Sequence, residues 1–455
     1  MQDFTLLVAA QREYFFSQAT KPYEFRVKQL RLLQQWIGHN EAAILRALNE
    51  DLGKSPYEGY LTEVCMVKQE LKDALRHLKS WMRPRHAKTA IGQFPGRCRI
   101  YSEPYGVTLI MSPWNYPFQL TIAPLIGAVC AGNCAVIKPS AYSPATSALV
   151  ARMAQELFPA EYVAVVQGGR QENAGLLEQA FDFIFFTGSP SVGRLVMEKA
   201  SAHLTPVSLE LGGKSPVIVD ETADIALTAR RLAWGKYLNA GQTCVAPDYV
   251  LVHQSREQQL VEALVAEIRR MYSSAPLASP DLPKIINQRH FERLVGLLGS
   301  GVISHGGQID PSARKIAPTV LTDVTWDSPI MQEEIFGPIL PILTYRKLDE
   351  AICRVQQRPK PLALYLFTRS KQTEEKVLRE VSFGGGCVND TVLHLATSYM
   401  PFGGVGESGM GGYHGKASYD TFSHQKSILK RMAKPDVSLR YAPFEDKMKL
   451  LKKLM

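Results

Sequence analysis

Apolar residues recur at helical spacing through the first 83 positions. Between Gln11 and His39 they fall at Phe15, Phe16, Ala19, Tyr23, Val27, Leu30, Leu33 and Ile37, which predicts one long helical stretch. Glu41 to Leu52 continues as a short amphipathic helix, with Gly53 as its stop. Tyr60 to Met82 reads as another, carrying Leu61, Val64, Val67, Leu71, Leu75 and Leu78. The pattern changes at Pro84. Residues 84–103 hold basic side chains, Gly92, Pro95 and Gly96, and the alternation from Arg97 to Ser102 predicts a strand leaving the main domain.

From Gly106 a strand, a loop and a helix repeat. Val107–Met111, Cys134–Ile137, Tyr162–Val166 and Phe181–Phe186 read as strands, with helices over Leu120–Ala131 and from Pro144. A second such block begins after Glu210. Its strands are Pro216–Val219, Tyr249–Val252, Ile316–Leu321, Ile339–Thr344, Ala363–Thr368 and Gly386–Asn389, and its helices include Asp224–Leu238 and Gln258–Met271. Strands alternating with helices predict parallel sheets covered on both faces, hence an α/β fold. A chain of 455 residues is also too long for one ordinary core.

Composition narrows the function classes. Apolar residues make up 45% and charged residues 21%, as in a soluble globular protein. The longest apolar run, Val107 to Ile137, is cut by Pro113, Pro117 and Pro124, which argues against a membrane span. Met1 to Ala10 lacks the basic start and long apolar core of a secretory leader. Seven cysteines, an odd count without zinc-type pairs, predict free thiols and a cytoplasmic protein, with Cys130 and Cys134 buried. The ten histidines show no metal spacing, so no metal is assigned. The formal charge of +9 is uneven: residues 425–455 hold nine Lys or Arg against three Asp or Glu, a net +6. That tail suits a solvated helix or an acidic membrane surface. No motif points to nucleic acid.

Candidate chemistry gathers in a few stretches. Glu210 interrupts the apolar run Val207-Ser208-Leu209-Glu210-Leu211 just before Gly212-Gly213. Partial burial raises a carboxyl toward the range of a useful base; a structural salt bridge is the competing account. Cys244, in Asn239-Ala240-Gly241-Gln242-Thr243-Cys244-Val245-Ala246-Pro247, lies in a loop of small polar residues, as a reachable nucleophile requires. Asn115, between Trp114 and Tyr116 in a loop bounded by Pro113 and Pro117, is either an amide aimed at an oxyanion or an ordinary turn asparagine. Thr187-Gly188-Ser189-Pro190-Ser191-Val192-Gly193 follows an apolar strand and opens a helix. Glycine and a helix N-terminus there suit a phosphate, although a plain strand-to-helix turn reads the same way. Lys138 ends a strand and points at the ligand crevice of an open sheet, unless it is simply solvated. In Glu333-Glu334-Ile335-Phe336 a carboxylate stands two residues from a ring, suited to ribose hydroxyls beside a planar ligand.

These pieces occur together in one known order. Pro113-Trp114-Asn115-Tyr116-Pro117, Lys138-Pro139-Ser140, Phe186-Thr187-Gly188 with Gly193, Leu209 to Lys214, Gly241 to Pro247, Glu333 to Pro338 and Pro401 to Gly411 carry a resemblance. Over nearly its whole length the chain resembles the aldehyde dehydrogenase superfamily. Its start and Ala246-Pro247-Asp248-Tyr249 are most similar to the class 3 branch, which acts on aromatic and fatty aldehydes. The resemblance implies that Cys244 attacks the aldehyde while the Asn115 amide and the Cys244 N–H stabilise the oxyanion. Hydride then passes to NAD or NADP, and Glu210 activates the water that frees the acid. Lys138, Gly188, Ser189, Gly193, Trp114, Glu334 and Phe336 are thereby assigned to the cofactor. Tyr116, Trp234 and Thr243 are assigned to the aldehyde tunnel.

The same resemblance implies a division of the chain. Residues 1–83 and 106–209 form a Rossmann-like dinucleotide domain, 210–411 a catalytic domain, and 84–105 with 412–432 a bridging β element, followed by the basic tail 433–455. Strands near Arg97 to Ser102 and Tyr419 to Leu429 should pair outside the main domains and build a homodimer. Where the family often has Lys-Pro-Ser-Glu, this chain has Ala141, removing a carboxylate that repels a 2′-phosphate; tolerance of NADP is therefore expected. In the tail, Phe444, Met448, Leu451 and Met455 recur at helical spacing between lysines, open to weak peripheral membrane contact or to packing on the protein. A coenzyme-A-acylating dehydrogenase and a non-catalytic protein that kept the fold are the rival readings. Glu210 argues against the first, and the intact Cys244, Glu210 and Asn115 argue against the second.

Overall fold

Two parallel sheets carry the structure, a computed structural model that describes residues 3–434, 436, 438–445 and 447–454. The first runs, in spatial order, Gly409–Met410, Val207–Leu211, Phe183–Gly188, Val107–Met111, Cys134–Lys138 and Val163–Val165. All its neighbours are parallel except Gly409–Met410, which lies antiparallel along Val207–Leu211. These strands are apolar almost throughout because helices cover them, and the helix Gln119–Ala131 is buried along its whole length. Chain order runs outward from Val107–Met111 to Val163–Val165, then jumps to Phe183–Gly188 on the other side. Such a reversal opens a crevice beyond the carboxyl ends of the strands.

The second sheet runs Val302–His305, Thr319–Thr322, Ile339–Tyr345, Tyr249–His253, Pro216–Val219, Ala363–Phe367 and Gly385–Val388. Only Val302–His305 is antiparallel to its neighbour. The chain crosses between the sheets over residues 212–215, so the carboxyl ends of the first face the amino ends of the second. A small sheet stands apart: Gly96–Pro104 pairs antiparallel with Arg85–Ala87 and, over nine residues, with Ser423–Arg431.

Several boundaries differ from the sequence reading, each for a local reason. The stretch Gln11 to His39 is two helices, Thr5–Phe16 and Tyr23–His39, broken where Gln18 is left-handed and Pro22 cannot continue a helix. The strand expected over Ile316 to Leu321 splits into Lys315–Ile316 and Thr319–Thr322 around Pro318, which lacks an N–H for the ladder. The helix expected from Tyr60 begins as a π-helical turn, Tyr60–Val64, before Cys65–Trp81. The division at 209/210 falls inside a strand, since Glu210 and Leu211 still pair with Thr187 and Gly188. In the tail a short helix covers Met448–Leu454; Met455 lies outside the described residues.

Candidate active site

The strand Val107–Met111 delivers the loop 112–118 to the crevice. Ser112 N–H continues the ladder to the Lys138 carbonyl at 3.1 Å, and then Pro113 and Pro117 hold the chain stiff. Asn115 is buried, and its Nδ2 donates to the main-chain oxygen of Gln242 at 3.0 Å. This bond ties the loop from the first sheet to the one that carries Cys244.

The Cys244 loop has an unusual backbone. After the helix Ile225–Tyr237, Asn239, Ala240 and Gly241 are left-handed in succession, at φ 52°, 52° and 74°. For Asn and Ala that conformation costs on the order of 1 kcal/mol each. At Gly241 a Cβ would sit 2.2 Å from the Gly337 carbonyl oxygen, so no side chain fits. Side chains hold the turn in place. Gln242 Nε2 donates to the carbonyls of Asn239 and Lys284, and its Oε1 accepts from Ile286 N–H. Glu58 accepts from Asn239 N–H at 2.7 Å; burial pushes that carboxyl up to about 7. The Thr243 hydroxyl lies 2.6 Å from that of Tyr116. Burial, together with Glu334 and Glu210, pushes the Cys244 thiol up to about 12, so it is protonated at neutral pH.

Glu210 sits on the strand Val207–Leu211 between Thr187 and Gly409 of the neighbouring strands. It is 3% exposed, and neither carboxylate oxygen meets a hydrogen-bond partner in the protein. Burial alone lifts it well above the usual carboxylate range. The competing account from sequence, a structural salt bridge, fails: no ion pair reaches Glu210 among the described residues.

Two cavities meet here. The larger, of about 730 Å³, lies between the facing sheet ends and is lined by Trp114, Asn115, Gly188, Ser189, Glu210, Cys244, Glu334 and Phe336. Ser189 caps the helix Pro190–Ser201, accepting from Val192 N–H, and leaves a helix N-terminus at the wall. The Phe336 ring stands edge-on to Trp114 at 5.3 Å. Glu334 is half-buried, accepts from Gly213 N–H, and is raised to about 8 by burial with Asp248 nearby. Arg194, Lys214, Arg293 and Arg358 add positive charge to the same wall. Sequence reasoning missed them because they come from separate helices and loops with no shared spacing. The smaller cavity, of about 140 Å³, is lined by Leu61, Met66, Tyr116, Trp234, Thr243 and Phe402 among others. Leu120 and Cys244 border both.

Two predicted cofactor residues lie off the cavity wall. Lys138 is buried below it, its Nζ donating to the carbonyls of Pro139 at 2.9 Å and Gly168 at 2.7 Å, and burial lowers it to about 8. Gly193 faces the first sheet: a Cβ there would come within 2.7 Å of the Leu211 side chain. Its visible use is close packing of helix on strand.

Comparison with known proteins agrees with this geometry. The sequence model of the aldehyde dehydrogenase family matches residues 2–428. The 4,4′-diaponeurosporen-aldehyde dehydrogenase of Staphylococcus aureus is 48% identical, covering 97% of this chain and 96% of that one. Human aldehyde dehydrogenase family 3 member B1 is 49% identical, over 95% and 93%. The substrate-bound structure of Staphylococcus aureus AldH superposes with a TM-score of 0.98 at 47% identity, covering 100% of this chain and 99% of that one.

Proposed function

The chain belongs to the aldehyde dehydrogenase family, on its class 3 branch, and oxidises aldehydes with NAD or NADP; we propose that it does so through an acyl intermediate on Cys244, released as the free acid by Glu210. One observation carries the reading: a dinucleotide-sized cavity and an apolar tunnel meet at a single thiol. The larger cavity fits the cofactor chemically. Its helix N-terminus and basic wall suit a diphosphate, Glu334 a ribose, and Trp114 with Phe336 a flat ring. When bound there, NAD(P)+ would supply the hydride acceptor.

The protein's own groups divide the remaining work. Cys244 loses its proton to solvent, and the thiolate Sγ bonds to the aldehyde carbon as the carbonyl oxygen takes up the negative charge. One Asn115 Nδ2 hydrogen serves Gln242 O; the other is free to meet the developing oxyanion, together with Cys244 N–H. Losing such a donor typically costs about 100- to 1000-fold in rate. Hydride loss leaves a thioester. Glu210, unpaired and raised by burial, takes a proton from water and so directs hydroxide to the acyl carbon. Coenzyme-A transfer has no need of that base. The apolar tunnel walls favour an aromatic or medium- to long-chain aldehyde. Seven free cysteines support a cytoplasmic setting. The strand Ser423–Arg431 is an exposed edge, with Ile428 and Leu429 about two-fifths exposed, and supports a homodimer. Exposed Phe444, Met448, Leu450 and Leu451 among the tail lysines support weak contact with an anionic membrane.

Cys244→Ala abolishes aldehyde-dependent NADH formation. Glu210→Gln keeps a one-equivalent burst but loses about 100- to 10,000-fold in steady turnover; equal loss of burst and turnover overturns its role. Turnover falls as pH drops through the raised Glu210 value, because protonation removes the base, so the acidic limb lies above the ordinary carboxylate range. Ala141 is exposed and offers no carboxylate near the adenine end, so kcat/KM for NAD exceeds that for NADP by less than about 1000-fold, roughly 4 kcal/mol. Sedimentation finds a dimer, weakened more than about 10-fold by Ile428→Glu; a monomer at micromolar concentration rules this out. Co-sedimentation with anionic vesicles at low salt is lost with neutral vesicles or in high salt; no binding at low salt disposes of the membrane reading.

A further inference from the structure

Behind the reacting groups lies a charge pair that the reaction above does not use. Lys54 is fully buried, and its Nζ donates to Glu63 Oε1 at 2.5 Å and to the main-chain oxygen of Asn115 at 3.0 Å. It also stands 3.9 Å from the centroid of the Tyr116 ring. The ammonium therefore meets a carboxylate, a carbonyl and an aromatic face. Glu63 reaches on to the other end of the loop. Its Oε2 accepts from the N–H groups of Phe118 at 2.8 Å and Gln119 at 3.2 Å, at the start of the helix Gln119–Ala131. These are amides that a helix cannot satisfy by itself. One ion pair thus grips residues 115–119 from both sides.

Asn115 O has a second donor. Asn239 Nδ2 lies 2.8 Å from it and 3.1 Å from Gln242 O, the same oxygen that receives Asn115 Nδ2. The direction of the remaining Asn115 amide hydrogen depends on the orientation of the Asn115 peptide. Lys54 and Asn239 are the groups that fix that peptide. Lys54 also backs the Tyr116 ring, whose hydroxyl meets Thr243, the residue before Cys244. Space filling does not account for the pair, because apolar side chains of similar volume fill a buried site without the desolvation that two charges carry.

We propose that Lys54 is a positioning residue of the oxyanion site. Anchored by Glu63, it holds the Asn115 peptide so that one Nδ2 hydrogen stays directed into the cavity shared with Cys244. This rests on the assignment of Asn115 as an oxyanion donor, and the test separates the two claims. Removing one charge strands the other, so the pair is deleted whole, as Lys54→Met/Glu63→Gln, in the parent enzyme and in Asn115→Ala. Single-turnover NADH formation is followed at saturating NAD, with NAD affinity and melting temperature measured beside it. The deletion is expected to slow hydride formation about 10-fold or more in the parent and less than about 2-fold in Asn115→Ala, with NAD affinity unchanged. Glu63→Asp alone, which keeps the countercharge of Lys54 but shortens its reach to Phe118 and Gln119, is the second variant. Its expected loss of about 3-fold or more also vanishes in Asn115→Ala. Equal losses in both backgrounds make the pair mere packing and overturn the proposal, as does an unchanged rate in the parent. If Asn115→Ala leaves the parental rate intact, the oxyanion assignment itself falls. If it lowers the rate while deletion of the pair does not, only the role of Lys54 falls.

Discussion

The chain leaves one sheet at Leu211 and begins the next at Pro216, and this short crossing sets the geometry of everything else. Four residues cannot carry a strand back along its own length, so the carboxyl ends of the first sheet must face the amino ends of the second. The crossing is held firmly. Lys214 pairs with Asp248 at 2.5 Å, Asp248 N–H bonds Ser215 O at 2.8 Å, and Asp248 Oδ1 accepts from Ile335 N–H at 2.9 Å. Those bonds bring the Glu334 loop against Gly212, where a Cβ would lie 2.1 Å from the Glu334 carboxylate. Gly212 is thus a steric requirement of the cavity rather than a sign of looseness.

That geometry concentrates groups that are unfavourable to bury. Glu210 has no protein partner, the thiol stands near two carboxylates, and Asn239 and Ala240 occupy strained backbone. Each costs on the order of a kcal/mol or more. The surroundings offset this with hydrogen bonds that hold the Cys244 loop in place. Gln242 alone makes three side-chain hydrogen bonds to main-chain groups on both sides of the loop. The site is locally strained yet firmly braced, which keeps a thiol and a buried carboxyl apart without collapse onto each other.

How much of this the sequence shows depends on whether a signal is local. Cys244, Glu210, Asn115 and the Gly188 turn each sit within a few residues of the feature that marks them, such as paired prolines, paired glycines or a strand running into a helix. The parallel α/β architecture follows from equally local apolar periods. Gly193 and Lys138 carried local signals too, but position decides their use: one faces Leu211, and the other is drawn beneath the wall by two carbonyls. Lys54, Glu58 and Glu63 were invisible because their partners are Asn115, Asn239 and Phe118, far away in sequence. The break at Pro22 and the split at Pro318 were legible in principle, since proline's missing N–H acts locally; the apolar spacing masked both.

The π-helical turn Tyr60–Val64 joins the two halves of the site. Leu61 and Thr62 face the smaller cavity, while Glu63, the next residue, is fully buried against Lys54. A regular α-helix turns side chains by a fixed step, and the wider π turn changes that step where tunnel wall and ion pair must be served in succession. Tyr116 does the same from the opposite loop: its ring lines the smaller cavity and takes the Lys54 cation, and its hydroxyl meets Thr243 beside Cys244. Tunnel shape and oxyanion geometry therefore share a backbone. Leu61 and Thr62 thus share one turn with Glu63, whose partner Lys54 bonds the Asn115 carbonyl. Under the proposed roles, aldehyde selectivity and turnover are coupled on that side, whereas the opposite wall, at Val392, Leu393 and Leu395, carries no such link to Asn115 among the described contacts.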